Sequence, residues 1–298
     1  LTKIVFGTGL ARDGERSFDR SFAWLAMFAV VAQVPLNEPL RQLPYWSQSR
    51  GPLASLLFIA PLLALYEVGV IQLGPLAMRN GADLWLRYLL DSFGFEQYFL
   101  LPAVTVIALL AWHHLNGDRW RLAPRLFCGM SLESLALAIT LVLLAQVQGA
   151  LLRGVGIPLD GPRSAETSSS RQIEESSQPQ ATVTVGPARI TRTSRLIAFL
   201  GAGIYEEVLF RLLLVPAAIA VFEQLGMSRT NSILWSIVLT SVLFATAHYL
   251  GPHGEQWRTF SFVFRTLAGV FFGLLFVYRG FGITAGAHAG YDILVGLD

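Results

Sequence analysis

Residues 52–76, PLASLLFIAPLLALYEVGVIQLGPL, carry one charge, Glu67, in a run long enough to cross a lipid bilayer. About 20 apolar residues in a helix, rising ~1.5 Å each, span the ~30 Å hydrocarbon core. The chain repeats this feature. Residues 97–112, 132–152, 194–220, 231–250 and 260–278 are apolar segments of the same kind, and 282–297 is a last, shorter one. Residues 18–34 contain a further short run that reads as an interfacial helix or a short first span. The expected fold is all-α: a polytopic membrane helical bundle of about seven to eight transmembrane helices.

Composition agrees. Of 298 residues, 53% are hydrophobic and 14% charged, against roughly 25% charged in a soluble domain. The mean hydropathy is +0.53. A formal net charge of +2 is too small to predict a nucleic-acid partner. Cys128 is the one cysteine, which excludes an intrachain disulfide and a multi-cysteine metal site. It is expected as a packed or interfacial thiol. No leader with a cleavage site is expected, because the first long apolar run begins well inside the chain.

The chain divides into four parts. Residues 1–50 form an N-terminal arm with Lys3, Arg12, Arg16 and Arg20, plus the possible interfacial or first membrane helix. Residues 51–152 hold the N-terminal membrane helices. Within them, residues 79–96 are mixed and aromatic and suit a helix at the interface. His113 and His114 are adjacent, point in different directions on a helix, and suit an interfacial position, not a shared ligand role. Residues 153–193 are a polar stretch, rich in Ser and Gln at its centre. It has too few bulky apolar side chains to offset chain ordering and reads as a flexible linker. Residues 194–298 form the C-terminal core. Arginines fall on both sides of any alternating threading, so the positive-inside rule assigns no orientation.

That core places six ionisable groups within apolar segments: Glu206, Glu207, Arg211, His248, His288 and Asp292. A charge at the centre of a bilayer costs roughly 2.5–3.5 kcal/mol on insertion scales, and such groups tend to mark function. Helix geometry sorts them. Glu207 and Arg211 are four apart and share a face, as do Phe244 and His248, and His288 and Asp292. Glu206 is turned about 100° from Glu207 and is free to face another helix. Gly201 and Gly203 allow a close helix approach just before the glutamates. Each pair alone has a structural explanation: an ion pair, a packed histidine, a hydrogen bond at a helix end. Together they make a hydrolytic set. A Glu and a His within reach of one water form a general-base site. A second His is able to donate to a developing oxyanion. The His-Glu-x-x-His and Gly-x-Ser-x-Gly signatures are absent. No cofactor is expected, although a metal held by Glu206, His248 and His288 stays open. A proton relay through Glu206, His248 and Asp292 in a coupled transporter is the competing reading. A non-catalytic membrane scaffold or immunity factor is the third.

Glu206-Glu207-x-x-x-Arg211, Phe244-x-x-x-His248 and His288-x-x-x-Asp292, in this order on separate apolar segments, resemble the three motifs of the CPBP family. That family includes the type II CAAX prenyl endopeptidases and their prokaryotic relatives, the Abi group. The resemblance covers roughly residues 194–298. It implies an all-α intramembrane endopeptidase of the glutamate type, acting on a membrane-associated and possibly lipidated protein or peptide in the bilayer. In a prokaryote it would sit in the cell membrane as a multi-pass protein. By position, Glu206 and His248 would activate water, and His288 with residue 292 would stabilise the oxyanion. Glu207 and Arg211 would hold the site in shape. The family's prenyl endopeptidases usually carry Asn at the last motif position, and this chain has Asp292. The hypothesis at that position is that Asp292 accepts from His288 and keeps it positioned, unless Asp292 is itself protonated.

Overall fold

Every long apolar run within the described residues folds as helix. The structure, a computed structural model, describes residues 45–94, 98–116, 120–154, 191–250 and 254–297. The arm and short apolar run within residues 1–44 lie outside the described residues, as does most of the polar stretch expected as a linker over 153–193.

The elements in chain order are α1 (Tyr45–Ser49), α2 (Pro52–Leu73), α3 (Gly81–Ser92), α4 (Leu100–Asn116) and α5 (Arg125–Gly154), followed by α6 (Arg192–Glu207). A π-helical segment (Val208–Leu214) runs from α6 into α7 (Val215–Gln224). α8 (Arg229–Ala247), α9 (Thr259–Arg279) and α10 (Phe281–Gly296) complete the bundle. Among the described residues, four helices are long and apolar enough to cross a membrane: α2, α5, α8 and α9. α4 is apolar but shorter, at 17 residues. α6 through α7 is one continuous helical rod that carries the charged stretch, and α10 is a 16-residue helix inside the bundle. Among the described residues, these four spans with the shorter apolar helices are consistent with the expected polytopic helical bundle.

α10 occupies the centre and packs on α2, α5, α6 and α9. Its first half, FGITAGAHA, is built from small side chains, so neighbouring backbones come close on several sides. Gly203 on α6 shows how close. A Cβ there would lie 2.6 Å from the backbone nitrogen of Ala289 on α10. Gly201, two residues earlier, faces the ring of Tyr66 on α2. Both glycines thus serve the close approach read from the sequence. The turn into α10 uses Gly280 at φ +81°, whose N–H bonds the carbonyls of Leu275 and Phe276 and ends α9.

Charges within the bundle are matched. Glu67 in α2 accepts from the Tyr205 hydroxyl of α6, and Arg87 of α3 lies 3.4 Å from it. Arg87 also pairs with Asp83 at 2.8 Å, and Asp83 accepts from Tyr66 at 2.9 Å and Arg79 at 2.9 Å. This network ties α3, the mixed aromatic segment, to α2 and α6. A second network closes the opposite corner. Arg279 reaches Glu133 of α5 at 2.5 Å and stacks over Trp46 of α1 at 3.7 Å. His113 is buried and packs edge-on to Trp120, whereas His114 is exposed, so the two histidines do point apart. Cys128 is exposed on α5.

Gly203→Ala should lower the unfolding midpoint of the detergent-solubilised protein, since an inserted methyl against fixed backbone costs about 1–3 kcal/mol. Gly81→Ala, where a Cβ meets nothing within 4 Å, should leave the midpoint unchanged or slightly higher. Equal midpoints for Gly203→Ala and wild type in a thermal melt would refute the close α6–α10 contact.

Candidate active site

Three helices deliver the ionisable groups to one place. α6 ends at Glu206 and Glu207, α8 ends in His248, and the middle of α10 carries His288 and Asp292. Arg211 follows in the π-helical segment, one turn past Glu207. The π geometry shows in the N–H of Val215, which bonds the carbonyl of Phe210, five residues back. π-Segments are rare and often mark functional sites. The signal available in the sequence is Pro216. It sits in the first turn of α7, directly after the π-helical segment, and its missing N–H interrupts the helical bonding of the continuous rod at that point.

Glu207 and Arg211 are fully buried. Arg211 donates to Glu207 Oε1 at 3.0 Å and to the Gly269 carbonyl of α9 at 3.2 Å. Its guanidinium lies over the rings of Phe244 at 4.5 Å and Phe272 at 5.3 Å, each within cation–π range. The same Glu207 Oε1 stands 2.7 Å from His288 Nδ1. Because that oxygen is an acceptor, Nδ1 is the donor, and Nε2 is turned to the interior. Phe272 stacks on the His288 ring with centroids 4.6 Å apart and planes 17° apart, which sets the ring plane.

The i,i+4 spacing on α10 assigns Asp292 as the partner that orients His288, and the geometry differs. Asp292 Oδ2 lies 3.6 Å from Nε2, beyond hydrogen-bond distance, and Glu207 holds the other nitrogen. Glu207 reaches His288 across the α6–α10 contact that Gly203 permits. No spacing within one segment encodes that contact.

His248 is fixed from its own helix. Its Nδ1 is 2.9 Å from the Phe244 carbonyl, so Nδ1 donates and Nε2 keeps its lone pair free. That Nε2 lies 4.0 Å from Glu206 Oε2. His288 Nε2 lies 3.8 Å from the same oxygen. Phe244 wedges between the imidazoles, with its ring centroid 5.1 Å from His248 and 6.0 Å from His288. The side chains of Glu206, Asp292 and His248 are 12%, 20% and 24% exposed, unlike the sealed Glu207–Arg211 pair. They line a cavity of about 280 Å³ together with His288, Leu141, Phe264 and Arg265. Sequence reasoning missed Phe272, Gly269 and Arg265. They lie on α9, which carries no motif, and act through contacts with other helices. Among the described residues, no group of three or more His, Cys, Asp and Glu side chains is disposed to hold a metal ion.

A multi-pass helical bundle with carboxylates and imidazoles gathered at one internal cavity defines an integral membrane enzyme. Residues 191–294, about a third of the chain, match the family model described as type II CAAX prenyl endopeptidase, Rce1-like. This C-terminal membrane region is similar to that family, and the protein is a membrane protease whose substrates are membrane-associated proteins. No curated protein and no solved structure matches the chain.

Glu207→Gln should do two separable things. It leaves Arg211 as an uncompensated buried charge, which costs about 3–5 kcal/mol of stability, and it loosens His288. Adding Arg211→Met should recover much of the melting temperature but little of the proteolytic rate. Recovery of both in the double variant would show that Glu207 only braces the fold.

Proposed function

We propose that the protein is a glutamate-type intramembrane endopeptidase that cleaves near the C-terminus of a membrane-associated, lipid-modified protein. The observation that supports this reading best is Glu206 standing within 4.0 Å of His248 and 3.8 Å of His288 at one cavity. Glu206 Oε2 and His248 Nε2 are both acceptors at a separation that one water spans, donating one proton to each. The water's own lone pairs then point away from both, toward the substrate carbonyl. As the oxygen attacks the carbonyl carbon, Glu206 takes the proton. The oxyanion develops toward His288 Nε2. With Nδ1 already donating to Glu207, a donor at Nε2 makes this ring an imidazolium, and the carboxylates of Glu206, Glu207 and Asp292 balance its charge. Glu206 returns its proton to the amide nitrogen as the C–N bond breaks, releasing one carboxylate and one amine.

Glu207 and Arg211 hold the site from behind, where water does not reach. Asp292 is a counter-charge to His288 and not its tautomer lock. The chemistry requires no cofactor, because the acceptor pair and the donor are all protein groups. The N-terminal helices 51–152 support α10 and seal the network around Glu67, and 194–298 is the catalytic unit.

Cleavage of a fluorogenic farnesylated peptide in proteoliposomes tests this. Glu206→Gln should lose at least the roughly 10²–10⁴-fold that a general base supplies, and His248→Asn should lose a similar factor. A rate within about threefold of wild type for Glu206→Gln would refute the reading. Asp292→Asn should stay within about tenfold of wild type, because Glu207 still holds His288. 1,10-Phenanthroline should leave the rate unchanged, and inhibition reversed by added zinc would replace the metal-free mechanism with a metal-assisted one.

A further inference from the structure

The cavity holds one arginine that the hydrolytic scheme does not use. Arg265 lies on α9 and lines the cavity that contains Glu206, His248 and His288. It is the one Lys or Arg in the lining, whose other formal charges include the acids Glu206 and Asp292. Its Nη2 pairs with Glu255, an exposed residue of the loop before α9, at 2.6 Å. Its Nη1 is buried and has no hydrogen-bond partner among the described residues. A dry guanidinium N–H beside a cavity costs free energy unless something accepts from it. A guanidinium N–H without an acceptor matches one oxygen of a carboxylate.

The helix supplies a scale. Ser261, Arg265, Ala268 and Phe272 form one stripe along α9 on the cavity wall. Phe272 is stacked on His288, at the hydrolytic end. Arg265 lies seven residues earlier, roughly 10 Å along the helix axis at ~1.5 Å per residue. An extended peptide covers that distance in about three residues at ~3.3 Å each. The cavity, at about 280 Å³, is below the usual range of roughly 300–1,000 Å³ for ligand pockets. It accommodates a short chain end and not a polypeptide passing through. A chain end brings one obligatory charge, its α-carboxylate. Glu206 and Asp292 repel that group, and the His288 imidazolium that opposes them is taken up by the oxyanion, which leaves Arg265 as the cation for a chain end.

We propose that Arg265 is the docking site for the free C-terminal carboxylate of the substrate, which sets how many residues lie beyond the scissile bond. Ser261, one turn away on the same face, provides a neighbouring hydroxyl. Glu255 pairs with Nη2 from the loop side and leaves Nη1 for the ligand. This inference rests on the peptidase reading for the reaction, but the carboxylate site itself is separable from cleavage.

The test uses a dansyl-labelled, S-farnesylated peptide with three residues after the cysteine, as the free acid and as the C-terminal amide, with full-length protein in nanodiscs. Binding is measured by fluorescence on the Glu206→Gln background, where turnover is absent, and cleavage on the wild-type background. The free acid should bind at least about tenfold more tightly than the amide, the factor that one charge-assisted contact supplies. Arg265→Gln should abolish that preference, and Arg265→Lys should keep part of it. Glu255→Gln, which removes the charge of the pair but keeps an acceptor oxygen for the guanidinium, should keep most of the preference. Equal binding of acid and amide, binding of neither, or the same loss in Glu255→Gln as in Arg265→Gln would overturn the proposal. Cleavage of both peptides at equal rates would overturn it while leaving the peptidase reading intact. An Arg265-dependent acid preference in binding without any cleavage would uphold the carboxylate site and defeat the peptidase reading.

Discussion

Glu207 Oε1 accepts from Arg211 in its own helical rod and lies 2.7 Å from the donor nitrogen of His288 on α10. The remaining site geometry depends on that shared oxygen. Arg211 is fully enclosed by Glu207, the Gly269 carbonyl and the faces of Phe244 and Phe272. A buried guanidinium so held does not move without leaving charge unpaired, so Glu207 does not move either. Through Glu207 the orientation of His288 is set, and through Phe272 its plane. The sealed pair therefore acts on the cavity by fixing which imidazole nitrogen faces it. The more exposed Glu206, His248 and Asp292 are the groups that face the cavity.

The bundle repeats one tactic for carrying charge through hydrocarbon. Several ionisable side chains are joined to partners on other helices, so these polar groups also act as tertiary links. Glu67 is tolerated in the middle of α2 because Tyr205 and Arg87 meet it. Arg279 at the end of α9 is met by Glu133 of α5 and the indole of Trp46. Small side chains do the complementary work. Without water to drive helices together, close van der Waals packing and hydrogen bonds hold a membrane bundle, and the Gly and Ala positions of α10 allow both. Tyr205 and Glu206 are neighbours on one helix, so the Glu67 network and the cavity cluster share a support.

Glu206 is held less tightly than Glu207, and the difference follows from the same helix. The two carboxylates are about 100° apart around the axis. One points into the sealed wall between α6, α9 and α10, the other into the cavity. A single dipeptide thus supplies both a sealed, ion-paired carboxylate and one that faces the cavity.

Much of this was legible in the sequence. The apolar runs determined that the chain is a helical membrane protein, because length and charge content leave no other home for them. The i,i+4 spacings joined Glu207 to Arg211 and Phe244 to His248, because helix geometry is local. The separation of Glu206 from Glu207 followed from the same rule. Gly201 and Gly203 announced a close contact without naming the partner. Tertiary structure decided the rest, because it depends on which faces of distant helices meet. The same spacing rule pointed His288 to Asp292, yet Glu207, 81 residues away, is its hydrogen-bond partner. It also decided the π-helical segment, the stacking of Phe272, the partners of Glu67, and the place of Arg265 on the cavity wall. Periodicity shows the face on which a residue lies. What that face meets is settled by packing between segments far apart in the chain.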